Sequence, residues 1–316
     1  MSNVFCNNFT FSRFRFTLKA LEAIHLSELS AGTFRGAFGI ALKNIACIHS
    51  QKWRDCKTCL IRQTCSYSYI FDTPVTESGQ EVIFPGENAP HPFVIDLQSQ
   101  DRKAVFEQGE KINISFVLIG KGIDYLPYLV YAFERLGKTG LGKNRGKFEL
   151  IQVTDNKKLY DSESKSLSSN LQKFKWDDFN DNQNLTNIEI NFQTPTRLKG
   201  EGKLLTSVDF KFLITNLLRR ISVLCFYHCG CQLQGDIHKM IDQAEKIQTL
   251  HSNLSWEEHQ RFSGRQKVQM TLGGIVGSIQ FGGNLNEFLP ILRIGEYIHV
   301  GKSTSFGFGK YEIITL

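Results

Sequence analysis

The chain has 316 residues, 41% of them hydrophobic, and carries 37 Lys and Arg against 31 Asp and Glu, for a net charge of +6 and an isoelectric point near 8.8. That length holds two domains, each with its own core, and the mild basic excess permits an anionic partner without requiring one. No stretch approaches the roughly 20 consecutive apolar residues of a membrane span, and Arg13 and Arg15 interrupt any apolar signal core near the N-terminus. A cytoplasmic protein is therefore expected, with its eight cysteines reduced unless a metal claims them.

In chain order, residues 9–18 alternate, with Phe14, Phe16 and Leu18 on one face and Arg13, Arg15, Thr17 and Lys19 on the other, which predicts a half-buried strand with a basic outer face. Residues 31–48 predict a helix, with Phe34, Phe38, Leu42 and Ile45 on one side. A cysteine-rich insertion follows at about 47–70. A strand is expected at 112–119 and a helix at roughly 125–136, with Pro127 in its first turn, where a missing N–H costs nothing. Then comes a glycine-rich basic loop, Gly137-Lys-Thr-Gly-Leu-Gly-Lys-Asn-Arg-Gly-Lys-Phe-Glu-Leu150. Residues 154–187 are polar and low in aliphatics and read as a linker or loop, with Trp176 as its anchor. Beyond it a strand is expected at 188–196, a long helix near 208–227, and paired strands around 267–272 and 275–281. The chain closes on a second glycine-rich loop and strand, His299-Val-Gly-Lys-Ser-Thr-Ser-Phe-Gly-Phe-Gly-Lys-Tyr-Glu-Ile-Ile-Thr-Leu316.

The two loops are copies. Shifting the sequence by 163 positions lays Gly146-Lys-Phe-Glu-Leu150 on Gly309-Lys-Tyr-Glu-Ile313, Leu126-Pro-Tyr-Leu129 on Leu289-Pro-Ile-Leu292, and Gly120 on Gly283 without a gap. Each half then reads β-α-β-β-α-β, which predicts an α+β protein of two tandem ferredoxin-like (RRM-like, βαββαβ) domains, with a cysteine-rich metal-binding insertion in the first. The expected division is an N-terminal domain at 1–155, a polar linker at 156–185 and a C-terminal domain at 186–316.

Glycines let a backbone lie against a phosphate chain, and neighbouring N–H groups, hydroxyls and lysines can hold the anions. On that ground Gly301, Lys302, Ser303, Thr304, Ser305, Gly307, Gly309 and Lys310 in the second loop, and Lys138, Lys143, Arg145 and Lys147 in the first, are candidates for contact with a phosphate-backbone ligand. Arg13, Arg15, Arg219 or Arg220, and Arg265 are further candidates, the helix pair serving equally as salt-bridge partners. Cys47, Cys56, Cys59 and Cys65 form one C-x₂-C knuckle with two single cysteines in a loop rich in Lys and Arg, which suits tetrahedral structural zinc; an iron–sulfur cluster also takes four cysteines. His49 can replace a cysteine. Cys225, Cys229 and Cys231 resemble a second site, although an inward-facing pair on a helix explains them too, and Cys6 stands isolated.

With these residues in view, the chain resembles the CRISPR-associated RAMP endoribonucleases that process CRISPR precursor RNA, in the branch with a cysteine insertion. The matching segments are Phe34-Arg-Gly-Ala-Phe-Gly39, the cysteine spacing, His91-Pro-Phe93, Gly109-Glu110, Leu118-Ile-Gly120, the first glycine loop, Leu218-Arg-Arg220, Arg261-Phe-Ser-Gly-Arg-Gln266 and the segment from His299 to Tyr311. The resemblance implies tandem ferredoxin-like domains with a positive cleft between them. It implies cleavage of CRISPR repeat RNA without a catalytic metal, by attack of a ribose 2′-OH that leaves a cyclic phosphate and a 5′-OH. Such chemistry needs a base, an acid and cations over the phosphorane, and histidine suits the proton transfers. His299, at the entrance of the second loop, is the first choice; His49, with Lys52 three residues on, and His25, between the first strand and helix, follow. The competing expectation is a non-catalytic RAMP subunit that binds guide RNA in a CRISPR effector complex.

Overall fold

Alternation of Phe14, Phe16 and Leu18 with Arg13, Arg15 and Lys19 gives the first strand a buried and a solvent face, and in the computed structural model it runs Thr10–Ala20 (β1). The structure describes residues 4–27, 30–49, 56–75, 89–97, 102–180, 184–200, 203–263 and 268–316, with backbone alone at 261–263 and 268–270. The chain forms two units. One comprises residues 10–174 with 226–229; the other comprises 4–9, 175–225 and 230–316.

In the first unit β1 is followed by α1 (Ser30–Ala46), α2 (Ser66–Phe71), β2 (Phe93–Asp96), β3 (Lys111–Ile119), α3 (Leu126–Thr139), β4 (Phe148–Thr154) and β5 (Lys158–Asp161). The sheet order is β2-β3-β1-β4-β5, every pair antiparallel. The register sets Phe14 opposite Phe116 and Phe16 opposite Ile114, so one face of the sheet is continuous hydrocarbon. Helix α1 lays Phe34, Phe38 and Leu42 on it, all fully buried, each contributing about 1.5–3 kcal/mol of burial. Phe38 packs edge-on against Phe93 and Phe116, with ring centroids 5.9 and 5.7 Å away. The stretch that reads as a linker is partly ordered: β5 pairs with β4, and Phe174 stacks on Phe11 with centroids 5.3 Å apart.

The second unit repeats the plan with β6 (Asn187–Thr196), α4 (Phe210–Leu224), α5 (Ile237–Ala244), β7 (Gln248–Ser263), β8 (Val268–Gly282), α6 (Leu289–Ile298) and β9 (Tyr311–Thr315). Its sheet order is β7-β8-β6-β9. In both units the first strand of the βαββαβ run lies between the third and the fourth, the ferredoxin-like arrangement. The shift of 163 holds in space: α3 and α6 open at Leu126 and Leu289, and β4 and β9 open at Phe148 and Tyr311. Asp209 starts α4 by accepting the Phe212 N–H at 2.7 Å, and Trp176 is buried in a 3₁₀ turn.

One expectation fails. Residues 267–272 and 275–281 do not pair with each other; from 268 they are one strand, β8, whose partner is β7. Gly273-Gly274 reads as a turn, but the absent side chain at Gly273 serves a close approach. A Cβ there would lie 2.5 Å from the indole Nε1 of Trp256 on the facing strand.

Candidate active site

Helix α3 ends at Gly140, and the first glycine loop then folds back onto residues 23–25. The Lys143 N–H donates to the His25 carbonyl at 2.9 Å, and the His25 N–H donates to Asn144 Oδ1 at 3.1 Å. Asn144 Nδ2 donates to the Ala23 carbonyl at 2.6 Å. Gly142 is required at this crossing: its φ is +80°, and a Cβ would lie 2.2 Å from the His25 oxygen. The result is a rigid loop with its charges outward. Lys138, Lys143, Arg145 and Lys147 are exposed, and so is His25. Lys147 lies 3.4 Å from Glu22, an exposed pair of little energetic weight.

The second loop is built differently. Thr304, Ser305, Gly307, Gly309 and Lys310 are buried, and Gly301, Lys302 and Ser303 are partly so. Five of its backbone N–H groups are spent inside the unit. The Lys302 N–H donates to the Arg197 carbonyl (3.1 Å), the Gly309 N–H to Pro195 (3.1 Å), the Lys310 N–H to Thr194 Oγ1 (2.9 Å), and the Phe306 and Gly307 N–H groups to Ser303 and Thr304 (2.9 Å each). At Gly309, with φ +75°, a Cβ would lie 1.9 Å from the Val300 oxygen. Much of the glycine content therefore serves backbone packing, where the sequence suggested an open cradle for phosphate.

His299 belongs to that packing. It is 1% exposed, and its Nδ1–H donates to the Phe308 carbonyl at 3.0 Å across the loop. His49 is partly buried, with Nε2 3.3 Å from the Cys59 sulfur, so it belongs to the cysteine insertion. Lys52 and Arg265 lie outside the described residues. Of the arginines, Arg13 pairs with Asp96 at 2.6 Å, while Arg15 is exposed. Arg220 donates from Nε to the Ile298 carbonyl at 2.9 Å, capping the C-terminus of α6; burial lowers its pKa to about 9. That gives it a structural place within the unit.

In the insertion, Cys47, Cys56, Cys59 and Cys65 line one cavity with His49 and Arg62. The knuckle closes through the Cys59 N–H to the Cys56 carbonyl (3.2 Å), and Cys65 caps α2 by accepting the Tyr69 N–H at 2.9 Å. Burial raises the Cys56 pKa, and the Cys65 and Cys47 sulfurs add to the rise against Lys43. Among the described residues, however, the group of three ligand atoms all within 4.8 Å of one another is the sulfurs of Cys6, Cys225 and Cys231, in the second unit. Cys6 is thus not isolated. It is 225 positions from Cys231, and no local spacing signals that they meet.

Residues 190–311 match the family of the CRISPR-associated endoribonuclease Cas6, and residues 9–172 match a family described as the AF_1859-type N-terminal domain. By residues 9–172, over half its length, the chain belongs to the AF_1859 N-terminal domain family, and residues 190–311 are similar to the Cas6 endoribonucleases. An uncharacterized protein of Archaeoglobus fulgidus is 26% identical over 298 residues, spanning 92% of this chain and 93% of its own. The fold is similar to that of Thermus thermophilus Cas6 (TM-score 0.54, 10% identity, 97% of this chain and 99% of that one). It is also similar to a Cas6 product complex (TM-score 0.55, 13% identity, 96% and 100%) and to a chain of a partial Cas6-RT-Cas1–Cas2 complex (TM-score 0.54, 14% identity, 98% and 46%). No helix among the described residues is long and apolar enough to cross a membrane.

Proposed function

We propose that the chain is a Cas6-type endoribonuclease that cleaves CRISPR precursor RNA within its repeats by metal-independent transesterification: the ribose 2′-OH attacks the adjacent phosphodiester, leaving a cyclic phosphate and a 5′-OH. His25 is the proton-transfer group, and Lys143 and Arg145 supply positive charge over the phosphorane. One observation carries the assignment. His25 is the candidate histidine that is exposed and fixed by two backbone hydrogen bonds to a loop with outward cations. A base must reach the 2′-OH of a bound strand, and a side chain 1% exposed cannot, which gives His299 the role of holding the second loop in shape. His49 with Lys52 is set aside because His49 faces Cys59. Lys138, exposed at the end of α3, extends the RNA-binding surface of the first unit, and Lys302 and Ser303 are RNA-binding candidates of the second.

Four thiols and an imidazole around one cavity fit a thiophilic ion, so the finer reading of the insertion is a structural zinc site of Cys47, Cys56, Cys59 and Cys65. The organisation at 1–155, 156–185 and 186–316 remains the proposed division into domains. Guide-RNA retention in a CRISPR effector complex is the role left if cleavage is absent.

The test is incubation of the protein with labelled CRISPR repeat RNA in EDTA. The wild type is expected to cleave, and His25→Ala to lose cleavage by about 10²–10⁴-fold while still binding. Unchanged cleavage by His25→Ala overturns the assignment of this residue. Binding without cleavage by the wild type overturns the transesterase reading.

A further inference from the structure

The cysteines that the Cas6 reading leaves unused converge from three places in the second unit. Cys6 lies in the segment before β1, Cys225 immediately follows α4, and Cys231 lies just past the reversal at Gly230. The Cys6 sulfur is 2.8 Å from that of Cys231 and 3.0 Å from that of Cys225, and Cys6 and Cys225 are buried. An antiparallel bridge holds the segments in place, with the Phe5 N–H donating to the Gln234 carbonyl at 3.0 Å and the Gln234 N–H to the Phe5 carbonyl at 2.9 Å.

We propose that Cys6, Cys225 and Cys231 bind a zinc ion as three thiolates, with a solvent molecule as fourth ligand, and that this ion staples the N-terminal segment to the end of α4. The ion is distinct from any held by the insertion, and its presence is independent of how RNA is cleaved.

Three features favour a cation at this point. The turn at Cys6 directs the backbone N–H groups of Asn8 and Phe9 at its sulfur, and it is closed by the Phe9 N–H bonding the Cys6 carbonyl at 3.0 Å. Second, Cys225 opens the π-helical turn Cys225–Cys229 that continues α4, and the reversal at Gly230 brings Cys231 back against it, its N–H donating to the Cys225 carbonyl at 3.3 Å, so two sulfurs are held at one point by the backbone. Third, sulfur donors alone select a soft or borderline ion. Tetrahedral zinc with bonds of about 2.3 Å sets its sulfurs roughly 3.8 Å apart, so the two close pairs, at 2.8 and 3.0 Å, open by about an ångström to accept it. Cys231 is partly exposed and gives the ion and the water their entry.

The test uses the full chain, grown with zinc and freed of loose metal, with zinc per chain measured by mass spectrometry. Cys6→Ser and Cys231→Ser are each expected to lose about one equivalent relative to wild type. That loss is expected whether or not a Cys56→Ser/Cys59→Ser variant loses another, so failure of the insertion site and failure of this one are distinguishable. Because a serine variant can fail to fold, alkylation of the wild type is mapped by peptide mass spectrometry with and without chelator. Cys6 and Cys231 are expected to label only after chelation. Unchanged zinc content in both folded variants, equal labelling with and without chelator, or a Cys6–Cys231 disulfide in the freshly isolated protein would overturn the proposal.

Discussion

Glu296 on α6 shows how a single carboxyl comes to sense pH in this protein. Burial raises its pKa from 4.5 to about 7, although the Ile313 N–H donates to Oε1 at 2.8 Å and Arg293 also pulls it down. The same burial lifts Tyr311, whose hydroxyl donates to the Leu292 carbonyl at 2.5 Å. Between the two pKa values of Glu296 the folded state binds more protons than the unfolded chain, so stability is fully present below about pH 4.5 and is lost as pH rises through about 7. Glu296→Gln keeps an acceptor for Ile313 without the charge. It is expected to flatten this slope, gaining on the order of 2 kcal/mol over wild type at pH 8 once partial solvent exposure is allowed for. Thermal melts of both proteins between pH 5 and pH 8 measure it, and parallel pH profiles would exclude the carboxyl as the source.

At the scale of elements, the β7–β8 hairpin is where local pattern and structure part. β7 is exposed along most of its length, with Leu250 and Trp256 open to solvent, so backbone pairing rather than an apolar face makes it a strand. Without alternation there was no period-two signal to read. β8 was read as two strands because Gly273-Gly274 looks like a turn, whereas the gap at Gly273 accommodates the Trp256 ring. Gly273→Val is therefore expected to push the indole outward. Since Trp256 is already 37% exposed, the stability loss should stay near 1 kcal/mol, with a red shift of the Trp256 fluorescence in a Trp53→Phe/Trp176→Phe background. An unshifted spectrum would mean that the ring does not depend on that gap. The elements with strong patterns were legible: β1, α1, β3, α3 and β6 lie close to their expected bounds, because each sets large apolar side chains on one face.

At the scale of the whole chain, a net charge of +6 is modest, and its arrangement matters more than its size. If the first loop carries the RNA phosphates, Lys143→Ala/Arg145→Ala should weaken repeat binding at low salt. It should also reduce the slope of log K against log salt by about 1.4, the share of two contacts on a single strand. Titrations at three salt concentrations decide this, and an unchanged slope would move the RNA surface elsewhere. The sequence by itself determined the duplication, the glycine-loop pair and the cysteine knuckle. All of these are written in spacing and periodicity along the chain. Tertiary structure alone decided that His25 is open while His299 is enclosed, that the second loop spends five of its N–H groups on its own unit, and that Cys6 meets Cys225 and Cys231. Exposure and contact across more than two hundred residues depend on how elements pack, and no local pattern encodes them.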